Sequence, residues 1–417
     1  MLAKTLETIQ SSAPKRAGYT RFVVAALAIS VALKAIWFSR LGVGLHRNLV
    51  DFDAFHIVAQ RVWLGDSDQA YQFAKFLNMQ REASGGVDSF MPWTYPPQFN
   101  LLLAPFALMP TGVAYLLFTA ATLTFYLLIL RSIAASYFAL ILIILFPAMA
   151  ITMACGQNGF LTAGLIGLVC LLIEKRQIPA GLALGLMVIK PHLAIAFGIY
   201  SILKRRWTVV MTAGAFVLTS SLICTAIFGL QIWTGLHQSI SDSTIFLERG
   251  YYPLYRMISF YAALRTAGLP AWACFLGQGV VAVSALGVIA MALYRGFSTR
   301  SCLGLTAIVS ISISPYAYDY DFLIFGIGLA LLLPELKKFA REGERAVIYT
   351  APMIIGAYGT LQSSRLGTNT NVEYLDVLSI GGFAVTALTA LIFMILLRGA
   401  KPEPVHNRSI LPGSPAR

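Results

Sequence analysis

The sequence predicts an all-α polytopic membrane protein with about 12 transmembrane helices, within a range of roughly 10 to 13. Apolar residues make up 58% of the 417 residues, and charged residues only 12%. That charged fraction is roughly half of what a soluble domain carries. The mean hydropathy is +0.73, and runs of roughly 20 apolar residues recur along the chain. The remaining polar stretches are too short for a sizeable soluble domain.

The predicted spans follow one another through short connections, except at two long polar segments. The second span is interrupted at Pro110, and the fifth and sixth are short and meet at Lys190. These two short spans could instead form a re-entrant pair, which would leave the sidedness of later spans unchanged. The predicted spans are residues 21–38, 99–130, 136–154, 159–173, 179–189, 191–203, 207–228, 271–294, 301–314, 320–333, 347–361 and 378–397.

Basic residues predict the sidedness of these spans. With a cytoplasmic N-terminal segment, residues 1–20, every dense basic cluster falls on the cytoplasmic side, including residues 204–206 and 337–345. This distribution satisfies the positive-inside rule. The predicted transmembrane domain is residues 21–398, with extracytoplasmic loops at 45–97 and 231–270. The proline-containing residues 399–417 are predicted to be a disordered cytoplasmic tail.

Charge and cysteine usage exclude several classes of function. The net charge of +13 is spread as short clusters between apolar runs, which is a topology pattern, so no nucleic-acid partner is expected. The five cysteines lie within or at the ends of apolar runs and form no ligand spacing, so packing is their expected role. The first apolar run has no small-residue cleavage site after it and is expected to be retained.

The first long loop carries the leading candidate for catalysis. Residues 54–64 and 69–82 are predicted to be amphipathic helices, and Asp53 precedes the first of them as its expected N-cap. Asp51 lies between apolar neighbours at the membrane border, where a carboxylate is costly unless it is solvated or paired. Such a carboxylate can accept a proton from an alcohol. His56 belongs to the same polar set.

Further polar residues converge on the predicted outer face. Lys190 interrupts two short apolar runs, where it could bind phosphate or extend to the interface as a snorkelling side chain. His192 could bind phosphate or cap a helix, and Arg249 could bind phosphate or lipid headgroups. Asp319 and Asp321 could serve a sugar or a metal, but two aspartates do not fill a metal shell. Candidate sugar contacts are Asp53, His56, Tyr95, Gln157, Asn158, Tyr316 and Asp319, with ordinary turns as the alternative for the 156–159 and 95–97 segments.

The chain resembles glycosyltransferase family 87, integral-membrane mannosyltransferases of the GT-C superfamily. Short motifs agree in order and spacing over roughly residues 51–321. After Ser314-Pro315 the chain departs from the family's histidine-containing run and reads Tyr-Ala-Tyr-Asp-Tyr-Asp. The motifs are Asp51-Phe52 with Phe55, Ala59, Gly65 and Tyr71, then Tyr95-Pro96-Pro97 before Ala104-Pro105-Phe106, Gly156-Gln157-Asn158-Gly159, Lys190-Pro191 and Ser314-Pro315.

The resemblance implies a GT-C fold and a polyprenyl-phosphate sugar as donor, most often mannose. It implies inverting transfer to a hydroxyl of a lipid or glycan acceptor, with Asp51 as the base. Lys190, His192 and Arg249 would bind the donor phosphate, and Tyr95, Gln157 and Asn158 would face sugar hydroxyls. No cofactor or divalent metal is expected, because a phosphate leaving group needs cationic help more than a metal. The expected location is a bacterial inner membrane, with the active site on the periplasmic face.

Two other functions remain open at this stage. A transporter or flippase of a lipid-linked sugar would suit the short spans around Lys190. Against it, the sequence shows no internal repeat, and a long first loop with amphipathic helices better suits an extracytoplasmic catalytic domain. A ligase that moves whole glycans differs mainly in the size of its substrate.

Overall fold

The computed structural model describes residues 2–40, 46–366 and 374–399. Regular secondary structure in these residues is helical, and an isolated bridge joins Met257 and Tyr318. The predicted all-α class is therefore confirmed. The α-helices are α1 (Leu2–Ser11), α2 (Ala13–Arg40), α3 (Asp51–Leu64), α4 (Phe73–Ser84), α5 (Pro97–Leu103), α6 (Thr111–Ala134), α7 (Phe138–Cys155), α8 (Gly159–Leu172), α9 (Gln177–Leu186), α10 (Ile195–Leu203), α11 (Trp207–Phe228), α12 (Gln231–Glu248), α13 (Phe260–Thr266), α14 (Ala271–Tyr294), α15 (Thr299–Ile313), α16 (Leu323–Phe339), α17 (Glu342–Leu366) and α18 (Gly381–Gly399).

Five segments in the described residues are long and apolar enough to cross a membrane. They are Ala13–Ser39, Thr111–Cys155, Trp207–Phe228, Ala271–Tyr294 and Tyr374–Gly399. The apolar surface of α11 is largely exposed, with side chains such as Met211 and Leu222 facing outwards, which is what contact with lipid tails requires. The chain is therefore a membrane protein, while the count of about 12 spans stays a prediction.

The helix observed at the predicted second span, residues 99–130, begins later than expected. Residues 99–109 belong to α5 and to a 3-10 turn, Ala104–Leu108, and α6 begins afresh at Thr111. Pro105 and Pro110 explain the break, since neither residue has the backbone N–H that a continuous helix needs. The α5 helix packs against α3 and α11 instead of continuing α6.

The second long loop contains a helix that the sequence analysis did not anticipate. The α12 helix occupies its first half and packs against the 3-10 turn Ser67–Tyr71 of the first loop. Ser239 on α12 donates a hydrogen bond from Oγ to the carbonyl oxygen of Trp93, at 2.6 Å. The two long loops therefore pack on one another and form a single cover over one end of the helix bundle.

The short helices α9 and α10 form a hairpin with Lys190 at its apex. A 3-10 turn, Met187–Ile189, extends α9, and another, Pro191–Leu193, precedes α10. At 1.5 Å per residue, the segment Gln177–Ile189 is about 20 Å long. The hydrocarbon core of a bilayer is roughly 30 Å thick. A straight segment of this length is therefore too short to cross it.

The opposite end of the bundle gathers several basic segments. Ion pairs join Lys4 to Glu342 at 3.3 Å and Arg398 to Glu344 at 2.6 Å. These contacts bring the starts of α1 and α17 together with the end of α18, as the predicted topology requires. Which side of the membrane this end faces stays a prediction, and the tail from residue 400 lies outside the described residues.

Candidate active site

A cavity of about 480 Å³ lies between the two long loops and the ends of the central helices. Its volume is within the range of small-molecule sites. Its walls come from the start of α3, the segment before α5, the turn between α7 and α8, the hairpin apex, α12 and the segment after α15. The polar side chains that line it include Asp51, Tyr95, Gln157, Lys190, His192, Arg256, Tyr316, Tyr318, Tyr320 and Asp321.

Asp51 is the first residue of α3 and is held by a neutral amide. Gln157 donates from Nε2 to Asp51 Oδ1 at 2.8 Å. The other end of that amide accepts two hydrogen bonds at 3.0 Å, one from the Tyr95 hydroxyl and one from the Asn158 backbone N–H. Because Oε1 faces two donors, the amino group must point at Asp51. The chain Tyr95–Gln157–Asp51 therefore fixes one carboxylate oxygen.

Burial raises the pKa of the Tyr95 hydroxyl above its ordinary value, and the Asp51 and Asp321 carboxylates add to this rise while Lys190 opposes it. A buried phenol is harder to ionise because its charged form is poorly solvated. Tyr95 therefore stays protonated at neutral pH and keeps its role as donor to Gln157. Its ring packs edge-on against Phe55 of α3, with ring centroids 5.6 Å apart.

The turn that carries Gln157 depends on a glycine. Gly156 caps the C-terminus of α7 with a left-handed φ of 67°, and Gln157 N–H donates to the Thr152 carbonyl. A Cβ at Gly156 would lie 2.5 Å from Cβ of Phe52. The turn therefore packs directly against the first turn of α3, which brings Gln157 to Asp51.

Asp53 does not line the cavity. The α3 helix begins at Asp51 rather than at residue 54, so Asp53 is the third helical residue and not the N-cap. Its carboxylate turns back, accepts the Val50 N–H at 2.9 Å and receives two hydrogen bonds from Arg47, at 2.8 and 2.5 Å. Asp53 still satisfies a free N–H at the helix start, but its geometry is that of a structural residue.

Lys190 and Asp321 form a buried ion pair within the cavity wall. Lys190 Nζ lies 2.7 Å from Asp321 Oδ1, and the two side chains are 7% and 1% exposed. The ammonium also lies 4.7 Å from the ring centroid of Tyr320. An ammonium has three N–H donors, and Asp321 takes one of them. Lys190 therefore keeps donors for a further ligand while its charge is already balanced.

Arg256 and Asp319 form a second pair of the same kind. Arg256 donates from Nε and Nη2 to the two oxygens of Asp319 at 3.1 and 3.0 Å. Nη2 also lies 3.3 Å from Cys155 Sγ. Nη1 makes no hydrogen bond within the described residues. Asp319 itself is 1% exposed and lies behind the cavity wall, so the guanidinium is the part of this pair that a ligand can reach.

Both carboxylates come from one 3-10 turn, Asp319–Phe322. Asp321 Oδ2 accepts the Tyr318 N–H at 3.2 Å, which closes the turn. The rings of Tyr318 and Tyr320 stack with centroids 5.2 Å apart and planes 13° apart. A Cβ at Gly159 would lie 2.3 Å from the Tyr320 carbonyl oxygen. The turn therefore packs against the start of α8. From it, Asp319 contacts Arg256 and Asp321 contacts Lys190.

Three other predicted residues do not reach the cavity. His56 is held away from it, with Nε2 3.0 Å from the Met109 carbonyl oxygen and Nδ1 3.4 Å from Thr111 Oγ1. Asn158 is fully buried as the residue before α8, and its side-chain amide has no hydrogen-bond partner within the described residues. Arg249 is exposed at the end of α12 and does not line the cavity.

Arg256 and the stacked tyrosines are residues that the sequence reasoning did not select as site residues. Arg256 belongs to a 3-10 turn, Leu254–Arg256, between α12 and α13. Nothing near it in the sequence distinguishes it from Arg249, and its partner Asp319 is 63 residues away. The alternation of Tyr and Asp in residues 318–321 does not by itself predict this arrangement, because Asp319–Phe322 is a 3-10 turn and not an extended strand.

No group of three or more His, Cys, Asp or Glu residues within the described ranges is arranged to hold a metal ion. Asp319 and Asp321, the pair considered from the sequence, each bind a cationic side chain instead. That the reaction needs no metal ion stays a prediction.

A comparison with protein-family models matches glycosyltransferase family 87 over residues 93–315, which is more than half of the chain. The match includes Tyr95, Gln157, Lys190 and Arg256, while Asp51 precedes it and Asp321 follows it. Searches of the curated proteins and of the solved structures find no match. The resemblance inferred from the motifs is confirmed. The chain belongs to glycosyltransferase family 87 and is therefore a glycosyltransferase with membrane-spanning helices.

Proposed function

We propose that the protein transfers a sugar, most readily mannose, from a polyprenyl-phosphate donor to a hydroxyl of a lipid or glycan acceptor. One observation carries the choice of base. Asp51 and Asp321 are the carboxylates that line the cavity, and Asp321 is already paired with Lys190. In the described part of the chain, Asp51 touches the neutral amide of Gln157 and has no cation within ion-pair distance. Asp51 is thus the carboxylate that is free to take a proton.

The reaction is an inverting displacement. The acceptor oxygen attacks the anomeric carbon from the face opposite the phosphate, and its proton passes to Asp51. The bond between the anomeric carbon and the phosphate oxygen breaks, and polyprenyl phosphate leaves with the electron pair. One base on the attacking side is sufficient for an inverting reaction that needs no second carboxylate as nucleophile.

Lys190 and Arg256 are the proposed phosphate-binding residues. Both line the cavity and both retain N–H donors after pairing with their aspartates. Donors fixed in advance stabilise the charge that develops on a leaving phosphate without further reorganisation. His192 lines the same wall and is proposed to contact the phosphate as well. Arg256 thereby takes the role that the sequence suggested for Arg249.

The donor sugar would lie between these cations and Asp51. Tyr95, Gln157, Tyr318 and Tyr320 line this part of the cavity and offer hydroxyl, amide and ring contacts. The isoprenoid chain would leave past Ile189 and Pro191 at the hairpin apex, because this wall belongs to two of the shorter apolar helices. The extracytoplasmic face is the proposed side, since the basic clusters gather at the other end of the bundle.

The test uses purified protein in lipid nanodiscs with a synthetic polyprenyl-phosphate mannose and an alkyl mannoside acceptor. Mass spectrometry is expected to show one added hexose. Asp51→Asn should lower kcat by at least about 100-fold, in line with the loss of a general base. Asp88→Asn, an exposed change in the same loop, should leave kcat unaltered. Full activity of Asp51→Asn would remove the assigned base. Lipid movement in liposomes without transfer would indicate a transporter instead.

A further inference from the structure

The cavity has a second, uncharged end built from aromatic side chains. Phe90, Tyr252 and Tyr316 line it, together with Met91, Ile240 and Ser243. Phe90 meets Tyr252 edge-on at a centroid distance of 5.4 Å, and Tyr252 meets Tyr316 edge-on at 6.3 Å. All three aromatic residues are only partly buried. Each ring therefore keeps part of its surface open to whatever fills this end of the cavity.

This aromatic end is separate from the catalytic groups. In the described part of the chain, no hydrogen bond or ion pair joins Phe90, Tyr252 or Tyr316 to the groups proposed for catalysis. Asp51 bonds to Gln157, Lys190 to Asp321 and Arg256 to Asp319, while the Tyr316 hydroxyl bonds to Thr244. The cavity lining thus has two parts. One carries the charged side chains proposed for the transfer, and the aromatic end carries rings and hydroxyls but no charged side chain.

Other aromatic residues hold this end in place from behind. Phe73 and Phe246 pack against Phe90, with centroids 5.4 and 5.2 Å away, and neither lines the cavity. The Tyr316 hydroxyl lies 3.5 Å from Thr244 Oγ1 on α12. The rings are supported by both long loops, so this end is a formed surface rather than a set of loose side chains.

The position of this end indicates what it binds. Phe90, Tyr252 and Tyr316 all lie outside the candidate spans and the shorter apolar helices, so this end is built from connecting segments and not from the apolar helices. In an inverting displacement the acceptor approaches from the side opposite the phosphate. The body of the acceptor must then extend from Asp51 away from Lys190 and Arg256, and the aromatic end offers cavity lining that bonds to neither cation.

We propose that Phe90, Tyr252 and Tyr316 form a binding subsite for a sugar ring of the acceptor, so that the acceptor is a saccharide or glycolipid rather than a simple lipid alcohol. This rests on the proposed transfer reaction. The C–H face of a sugar ring is apolar and slightly positive, and it matches the negative face of an aromatic ring. The hydroxyls of Tyr252, Tyr316 and Ser243 supply hydrogen-bonding partners at the ring edge.

The experiment compares two acceptors with the same alkyl chain, octyl α-mannoside and 1-octanol, using one polyprenyl-phosphate mannose as donor. The unchanged protein is expected to prefer the glycoside. Phe90→Leu and Tyr252→Leu should each raise the KM for octyl mannoside by about threefold to tenfold, which is the contribution typical of one aromatic contact. They should leave the KM of the donor unaltered.

Phe297→Leu is the matched control, because it removes a partly buried ring from an aromatic pair with Phe393 that does not line the cavity. It should leave both KM values unaltered. A rise in donor KM that grows with isoprenoid length in Phe90→Leu or Tyr252→Leu would assign this end to the lipid tail and overturn the subsite. Equal use of octanol and octyl mannoside by the unchanged protein would overturn it too. Absence of transfer to either acceptor would instead count against the proposed reaction.

Discussion

Lys190 and Asp321 are 131 residues apart in the chain, and their side chains meet at 2.7 Å in a buried ion pair. A parallel contact joins Arg256 to Asp319. The two pairs place a balanced cation at each of two positions on the cavity wall.

Breaking the Lys190–Asp321 pair should cost more stability than removing it entirely. Asp321→Asn or Lys190→Gln leaves one charge buried without its partner, which costs about 3–5 kcal/mol. The double change Lys190→Met with Asp321→Leu should unfold at a higher temperature than either single variant, because no charge remains buried. Thermal unfolding in detergent measures this, and strictly additive losses would show that the two residues are not coupled.

Gln157→Leu should slow the reaction without weakening donor binding. Leucine cannot hold Asp51 Oδ1, so the base loses its fixed orientation. A misplacement of this kind costs about 100-fold in rate, and we expect that loss in kcat with little change in the KM of the donor.

Gln98→Leu is the control for this change, since Gln98 donates to Ser221 at 2.9 Å outside the cavity. It should keep its kcat. An unchanged kcat for Gln157→Leu would mean that Asp51 does not depend on the amide.

Arg256→Gln and Arg249→Gln should separate the two arginines of the second loop. Arg256 reaches the cavity and Arg249 does not, so only Arg256→Gln should raise the KM of the donor and lower kcat/KM, by about 100-fold or more. Arg256→Lys should restore little activity because an ammonium cannot make both contacts to Asp319. Steady-state kinetics with varied donor measures this. A larger effect at Arg249 would return the phosphate site to the sequence-based assignment.

Gly159→Ala should displace the turn that carries both aspartates. The added methyl would lie 2.3 Å from the Tyr320 carbonyl oxygen, and crowding of this kind costs about 1–3 kcal/mol. We expect a lower unfolding temperature together with a loss of transfer activity. Gly198→Ala has no atom within 4 Å of the new methyl and should be neutral or slightly stabilising. Equal behaviour of the two variants would show that the turn tolerates the shift.

The sequence by itself determined the membrane class, the helical fold and most helix positions. These follow from local properties, because an apolar run of sufficient length must satisfy its own backbone in lipid. Helix ends near prolines were less predictable, as the break between α5 and α6 shows. Asp51, Tyr95, Gln157, Lys190, His192 and Tyr316 were also selected from the sequence, and the cavity brings them together.

Only the tertiary structure decided how these residues are used. Asp53 and His56 lie close to Asp51 in sequence but bond away from the cavity. Arg256 was indistinguishable from Arg249 until Asp319 was seen beside it. Ion pairs and cavity walls join residues more than 60 positions apart, and no local pattern encodes such contacts. The physical reason is that a helix sets the direction of its own side chains, whereas the packing of helices sets what those side chains meet.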